Sequence, residues 1–197
     1  NNAIRERSFV VTDTFYQIDL MKSAYYADKI PTYLEGIKTG EWVESSFNEV
    51  WRTFKADCKE CNVKSAWAYN CLFDEIALNN TLRTYSNGFA TWFMPYKLRL
   101  KDVWDYASNI TSSKRYLKYC VATGAFTPSG NPSTSAESVY RFINKQHDFT
   151  EDHTALSDAR IEAAILLAAK AKHKKTRHGS RGQGWRDASA AFKALDL

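Results

Sequence analysis

The sequence lacks the features that mark several broad classes of protein. None of its 197 residues belongs to an apolar run approaching the length of about 18 to 20 residues that a membrane-spanning helix requires. The first residues do not show the charged-then-apolar pattern of a secretory signal peptide, and the chain contains no internal repeats. We therefore expect a soluble, cytoplasmic protein with no membrane partner, long enough for one domain or for one domain and a tail.

Cysteine is scarce, with four residues in the chain. Cys58 and Cys61 have the spacing of half a zinc site, but spacing alone is a weak signal. The same two thiols continue a helical stripe of apolar residues, which accounts for them as the buried end of a helix, and Cys120 continues a second stripe. We expect reduced core cysteines, as in a protein from a reducing compartment.

Acidic residues are absent between residues 163 and 186, whereas seven basic side chains lie there. The whole chain has a formal net charge of +5, so the remaining residues together carry −2. Glycines also interrupt any helix in this region, and we therefore expect a domain over residues 1–172 and a basic tail over 173–197. The tail either contacts phosphates without reading sequence or only improves solubility. The candidate phosphate-binding residues in it are Lys174, Lys175 and Arg177.

Two carboxylates stand near the start of predicted helices. Ser157 is a suitable N-cap, and the apolar residues after it repeat at helical spacing, so Asp158 falls in the first turn with His153 on the loop before it. Asp74 follows a strand-like run over residues 63–69 and opens another periodic segment. A histidine close to such a carboxylate suggests a general base beside a metal ligand. The alternative is that Asp158 complements the helix dipole and His153 is an ordinary loop residue.

Strands and helices alternate along the rest of the chain. Short strands are predicted near residues 9–12, 88–93 and 97–100, and a helix is predicted from about Ser46 to Cys61. Helices flanking a central mixed β-sheet make this an α/β protein.

Two motifs resemble a known family. The motif Tyr-Asn-x-x-Phe-Asp at residues 69–74, followed by His-x-Ala-Leu-x-Asp-Ala at residues 153–159, looks like the second and third motifs of the DEDDh family of 3′-to-5′ exonucleases. Segments at residues 100–107 and 135–143 also resemble the family, and the likeness extends over roughly residues 5 to 170. It implies an RNase H-like fold. The compact motifs look like those of phage-encoded members, which would act in the host cytoplasm.

The resemblance also implies a mechanism and a set of functional residues. Asp74 and Asp158 would help to hold two divalent ions, Mg²⁺ or Mn²⁺, because hard cations prefer carboxylate oxygens. His153 would take the proton from the attacking water, a task suited to an imidazole. Asn70 would contact the terminal nucleotide, Tyr69 would either contact it too or pack in the core, and Phe73 is expected in the core. The expected partners are single-stranded DNA or RNA 3′ ends and a protein in a replication or repair complex.

The first family motif, Asp-x-Glu, is absent from the chain. The nearest candidate is Asp13, where Phe15 occupies the glutamate position and offers no oxygen to a cation. One explanation is that residues 6–11 form the family's third strand and that the sequence is an N-terminally shortened version of the protein. The other is a degenerate motif, which would leave a catalytically inactive nucleic-acid- or protein-binding module. An unrelated α/β domain with accidental motif matches is the third hypothesis.

Overall fold

The computed structural model describes residues 5–24, 27–172 and 183–195, and these residues divide into two compact units. The first unit contains the described residues before Ser65 together with Glu75–Leu98. The second contains Ser65–Asp74 and the described residues from Arg99 onward. Both units combine helices with short parallel strands, so the predicted α/β class is confirmed.

The first unit has a small parallel sheet and a core of aromatic residues. Strand β1 (Phe9–Val11) pairs in parallel with β2 (Val43–Ser45). Phe47, Leu82 and Phe93 form the buried cluster. The helices in chain order are α1 (Thr12–Phe15), α2 (Ile18–Ser23), a 3₁₀ turn (Ala27–Lys29), α3 (Ile30–Thr39), α4 (Phe47–Glu60) and most of α5 (Cys71–Tyr85).

Helix α4 confirms the helix predicted from about Ser46 to Cys61. Ser46 accepts a hydrogen bond from the backbone N–H of Glu49, and the Glu49 carboxylate accepts one from the Ser46 backbone, which completes a capping box. None of the four cysteines forms a disulfide, and two of them, Cys71 and Cys120, are buried. The prediction of a buried helix end is wrong for Cys61, which is exposed, because the helix has already ended at Glu60.

The second unit contains the other parallel pair and the larger core. Strand β3 (Ser65–Ala68) pairs with β4 (Arg99–Asp102), with Ala68 opposite Asp102. Buried residues of four helices, including Ile110, Tyr116, Val139 and Ile165, form the core. The helices in chain order are α6 (Val103–Thr111), α7 (Lys114–Thr123), α8 (Ala136–Asn144), α9 (Ala155–Lys172) and α10 (Gly184–Lys193).

The predicted central mixed sheet is not what the described residues form, since they contain two separate two-stranded parallel sheets. The predicted strand over residues 88–93 is a loop. Its backbone groups bond to side chains instead of a neighbouring strand: Ser86 Oγ accepts from the Ala90 N–H, and Asn79 Oδ1 accepts from the Phe93 N–H. Phe89 in this loop is almost fully exposed, so its aromatic character does not mark a buried strand.

Part of the predicted tail packs in the second unit. Helix α10 lies against α6, and a Cβ atom built on Gly184 would come within 2.6 Å of the Trp104 ring. The Phe192 ring contacts the Phe126 ring with a centroid distance of 5.4 Å. No described helix has the length and apolar character needed to cross a membrane.

Parallel pairing of β3 and β4 places the carboxyl ends of both strands at one edge of their sheet. Asp102 at the end of β4 accepts the Trp104 N–H (2.8 Å) and so caps α6, and the same oxygen accepts the Asn70 N–H (3.1 Å) from the turn after β3. Asn70 adopts a left-handed conformation (φ 58°), which asparagine tolerates better than most residues, and α5 begins directly after it. This turn positions the candidate site.

Candidate functional site

The N-terminus of α9 carries the second predicted carboxylate. The helix begins at Ala155, three residues earlier than a Ser157 cap predicts, and Asp152 accepts hydrogen bonds from both the N–H and the hydroxyl of Thr154 just before it (2.9 Å each). Asp158 still lies in the first turn, as expected, and its N–H bonds to the Thr154 carbonyl. His153 precedes the helix in a left-handed conformation (φ 56°). The loop and the helix start therefore place His153 beside Asp158.

Glu151, His153 and Asp158 form a compact group in which one potential ligand atom from each residue lies within 4.8 Å of the others. His153 Nδ1 is 3.8 Å from Glu151 Oε2. The Glu151 and Asp158 carboxyls are close enough to interact directly, and a hydrogen bond between them would need a proton on one of the two. Burial and then the charge of Asp158 raise the pKa of Glu151 to about 7, and burial also raises the pKa of Asp158. The sequence reasoning missed Glu151 because it lies in a loop without periodicity.

Glu162 extends this acidic group along α9. It lies four residues after Asp158, which places both side chains on the same face of the helix. Its carboxylate accepts the backbone N–H of Tyr69, yet burial raises its pKa to about 8, with smaller contributions from the charges of Asp74, Asp158 and Glu151. The spacing was a usable signal, because two acidic side chains at i and i+4 destabilise a helix unless something compensates them.

Asp74 joins the group from the other motif. It lies in the first turn of α5, and burial raises its pKa, with a further increase from the charge of Asp102. Its charge in turn raises the pKa of Glu162. Thus the charges of Asp74 and Asp158, which are far apart in the chain, both raise the pKa of the same partly buried carboxyl group.

The predicted nucleotide-contacting residues have different environments. The Tyr69 hydroxyl donates to the Thr134 carbonyl (2.5 Å), and its ring stacks on Trp104 (5.9 Å between centroids). Its phenol group is therefore occupied by contacts within the second unit. The Asn70 side chain is exposed. The prediction that Phe73 packs in the core is wrong: it is 70% exposed, because this face of α5 points to solvent.

The remaining predicted residues lie elsewhere. Asp13 belongs to the first unit, where it accepts the Phe47 N–H (2.6 Å) at the start of α4 and so has a structural role. The candidate phosphate-binding residues of the tail lie outside the described part of the chain, and their role stays a prediction. These residues are Lys174, Lys175 and Arg177.

Comparisons with models of known protein families, with curated proteins and with solved structures found no match to this chain.

Proposed function

We propose that the protein is a metal-dependent 3′-to-5′ exonuclease that hydrolyses phosphodiester bonds at single-stranded nucleic-acid ends, on an RNase H-like arrangement that includes β3 and β4. The observation that carries this proposal is a compact group of two carboxyls and an imidazole at the start of α9, with two further carboxyls whose charges interact with it. The carboxyl groups belong to Asp74, Glu151, Asp158 and Glu162, and the imidazole to His153.

The acidic group has the properties of a divalent-cation site. Asp158 Oδ1 is buried and has no hydrogen-bond partner among the described residues, although buried carboxylate oxygens are normally satisfied. Burial raises the pKa of Glu151 to about 7 and that of Glu162 to about 8, so both carboxyls favour the protonated form near neutral pH when no cation is bound. A cation coordinated by these oxygens would replace both protons and satisfy the unpaired oxygen. Mg²⁺ and Mn²⁺ suit such an oxygen-rich set.

The four carboxyl groups also bear on the absent Asp-x-Glu motif. The family resemblance assigns four acidic residues to the metal site, of which this chain has Asp74 and Asp158 in the matching motifs. Glu151 lies beside Asp158, and Glu162 interacts with Asp74, Asp158 and Glu151 through their charges, so these two residues offer two further carboxyl groups. We therefore assign the binding of two divalent ions to all four groups. When bound, such ions activate a water and stabilise the leaving 3′ oxygen.

His153 is assigned to proton transfer. Its position in a left-handed turn, outside the helix and 3.8 Å from Glu151, holds the imidazole at the edge of the acidic group. A general base must reach the water that it deprotonates, and an imidazole transfers protons efficiently near neutral pH. Glu151 would orient the ring and stabilise the imidazolium after it takes the proton.

The surface beside Asp74 suits a single strand. The side chain of Phe73, which directly precedes Asp74 in the sequence, is exposed. The side chain of Asn70, in the turn before α5, is exposed as well. A base stacked on an exposed aromatic ring gains about 1 to 3 kcal/mol, and only an unpaired strand offers its base faces in this way. The two residues therefore favour a single-stranded end over a duplex.

The test is an assay with single-stranded DNA and RNA labelled at the 5′ end, with Mg²⁺, with Mn²⁺ and with EDTA. We expect progressive shortening from the 3′ end with either metal and none in EDTA. Asp158→Asn should abolish cleavage, whereas the matched control Asp19→Asn, at an exposed position on α2, should not. Cleavage by Asp158→Asn at the wild-type rate, or no cleavage by the wild type, would overturn the proposal.

A further inference from the structure

The second unit contains a cavity of about 680 Å³ next to the turn that carries Asn70. Tyr69, Asn70 and Trp104 form one part of its wall. Ser189 and Trp185 of α10 and the loop before α8, including Asn131, form the rest. The volume lies within the range of about 300 to 1,000 Å³ that is typical of small-molecule sites.

The lining has the chemistry of a site for a flat, uncharged ring. None of the described residues that line the cavity is charged, and two are tryptophans. The Trp104 ring is fixed, because its indole N–H donates to Thr134 Oγ1 (3.1 Å) and Tyr69 stacks on it. Trp185 lies in the first turn of α10 and is 42% exposed, so part of its large apolar ring is uncovered. Serine and threonine hydroxyls and the Asn131 amide supply hydrogen-bonding groups around these rings.

Ser189 provides an independent sign of a ligand. The residue is 7% exposed and lines the cavity, and its hydroxyl has no hydrogen-bond partner among the described residues. Each buried polar group that lacks a partner calls for an explanation, and a hydroxyl can rotate toward a polar edge of a bound ring.

We infer that this cavity binds a nucleobase, stacked against tryptophan and hydrogen-bonded through its polar edge. Of the common flat ligands, nucleobases are uncharged near neutral pH and carry both donors and acceptors around the ring. Tyr69 connects the cavity to the acidic group, because its ring lines the cavity and its backbone N–H donates to Glu162. The base would come either from the strand being degraded, an assignment that rests on the proposed function, or from a free nucleoside.

The test measures binding to the full chain in EDTA, so that cleavage does not interfere. The probes are adenosine, ribose 5-phosphate and a short single-stranded DNA, titrated by calorimetry. We expect adenosine to bind and ribose 5-phosphate not to bind. Trp185→Ala should weaken adenosine binding by about tenfold, the loss of one base–aromatic stack. The control Trp92→Ala, at an exposed position of the first unit, should not change it.

Ser189→Ala separates a loss of ligand contacts from a loss of folding. Removing an unpaired buried hydroxyl should leave the melting temperature unchanged or raise it, while adenosine binding falls. If Trp185→Ala also weakens the DNA and adenosine displaces the DNA, the cavity takes a base of the strand. If the DNA is unaffected, it takes a free nucleoside. Adenosine binding that is absent, or equal in the wild type and both cavity variants, would overturn the inference. The binding test is independent of the cleavage assay, so either the nucleobase cavity or the exonuclease activity can be refuted without the other.

Discussion

Replacing Glu162 by glutamine tests the acidic group through protein stability. Burial raises the pKa of Glu162 from 4.5 to about 8 in the folded protein. Between these values the folded protein holds a proton that the unfolded chain releases, so the free energy of unfolding falls as the pH rises. Between about pH 5 and about pH 8, the titration of Glu162 alone should lower the free energy of unfolding of the metal-free protein by roughly 3 to 4 kcal/mol. Glu162→Gln removes the titration and should remove that part of the pH dependence.

The assay is urea unfolding in EDTA at the two pH values, for the wild type, Glu162→Gln and a control. Glu41→Gln changes an exposed acidic residue of the first unit and should keep the wild-type pH dependence. Glu162→Gln should be the more stable protein at the higher pH and close to the wild type at the lower. The reasoning is refuted if Glu162→Gln loses as much stability between the two pH values as the wild type does.

Mg²⁺ should reverse this effect in the wild type, because a cation stabilises the ionised carboxyl groups and binds only the folded protein. The gain in the free energy of unfolding should be larger at the higher pH, where fewer protons compete with the cation. In Glu162→Gln the gain should be smaller. An equal gain in both proteins would show that Glu162 does not contribute to cation binding.

Three further predictions concern the reaction and the substrate. His153→Ala should leave cation binding nearly unchanged and lower turnover by about 10² to 10⁴, the usual contribution of a general base, and an equal loss of both would instead make His153 a ligand. Phe73→Ala should weaken binding of single-stranded DNA without changing the melting temperature, because the ring is exposed, and unchanged affinity would exclude it as a stacking surface. Alanine at each of three tail residues should lower the slope of log affinity against log salt by about 0.7, and an unchanged slope would identify a tail that only improves solubility. These residues are Lys174, Lys175 and Arg177.

Local signals in the sequence predicted the parts of the site that depend on one element. The strand followed by a helix around Asp74, the loop position of His153 and the first-turn position of Asp158 all follow from propensity and spacing within a short window. Helix α4 was predicted for the same reason, because its apolar stripe is continuous.

The features that were missed depend on tertiary contacts. Glu151 and Glu162 become significant only in the fold, which partly buries both and exposes them to the charge of Asp158. The loop at 88–93 has the composition of a strand, but the side chains of Ser86 and Asn79 bind its backbone. Phe73 was assigned to the core from its residue type, whereas the orientation of α5 leaves it exposed. Only the i, i+4 spacing of Asp158 and Glu162 offered a local signal, and no local pattern specifies the other arrangements.

The most direct test of the proposed cation site is a titration of the full chain with Mn²⁺, followed by electron paramagnetic resonance of the free ion near neutral pH. We expect the wild type to take up Mn²⁺ and to release protons as it does so, because the cation replaces the protons of Glu151 and Glu162. Asp158→Asn should bind much less Mn²⁺, and the control Asp19→Asn should bind as the wild type does. Equal Mn²⁺ binding by Asp158→Asn and the wild type, or no binding by either, would contradict a metal-dependent site at this acidic group.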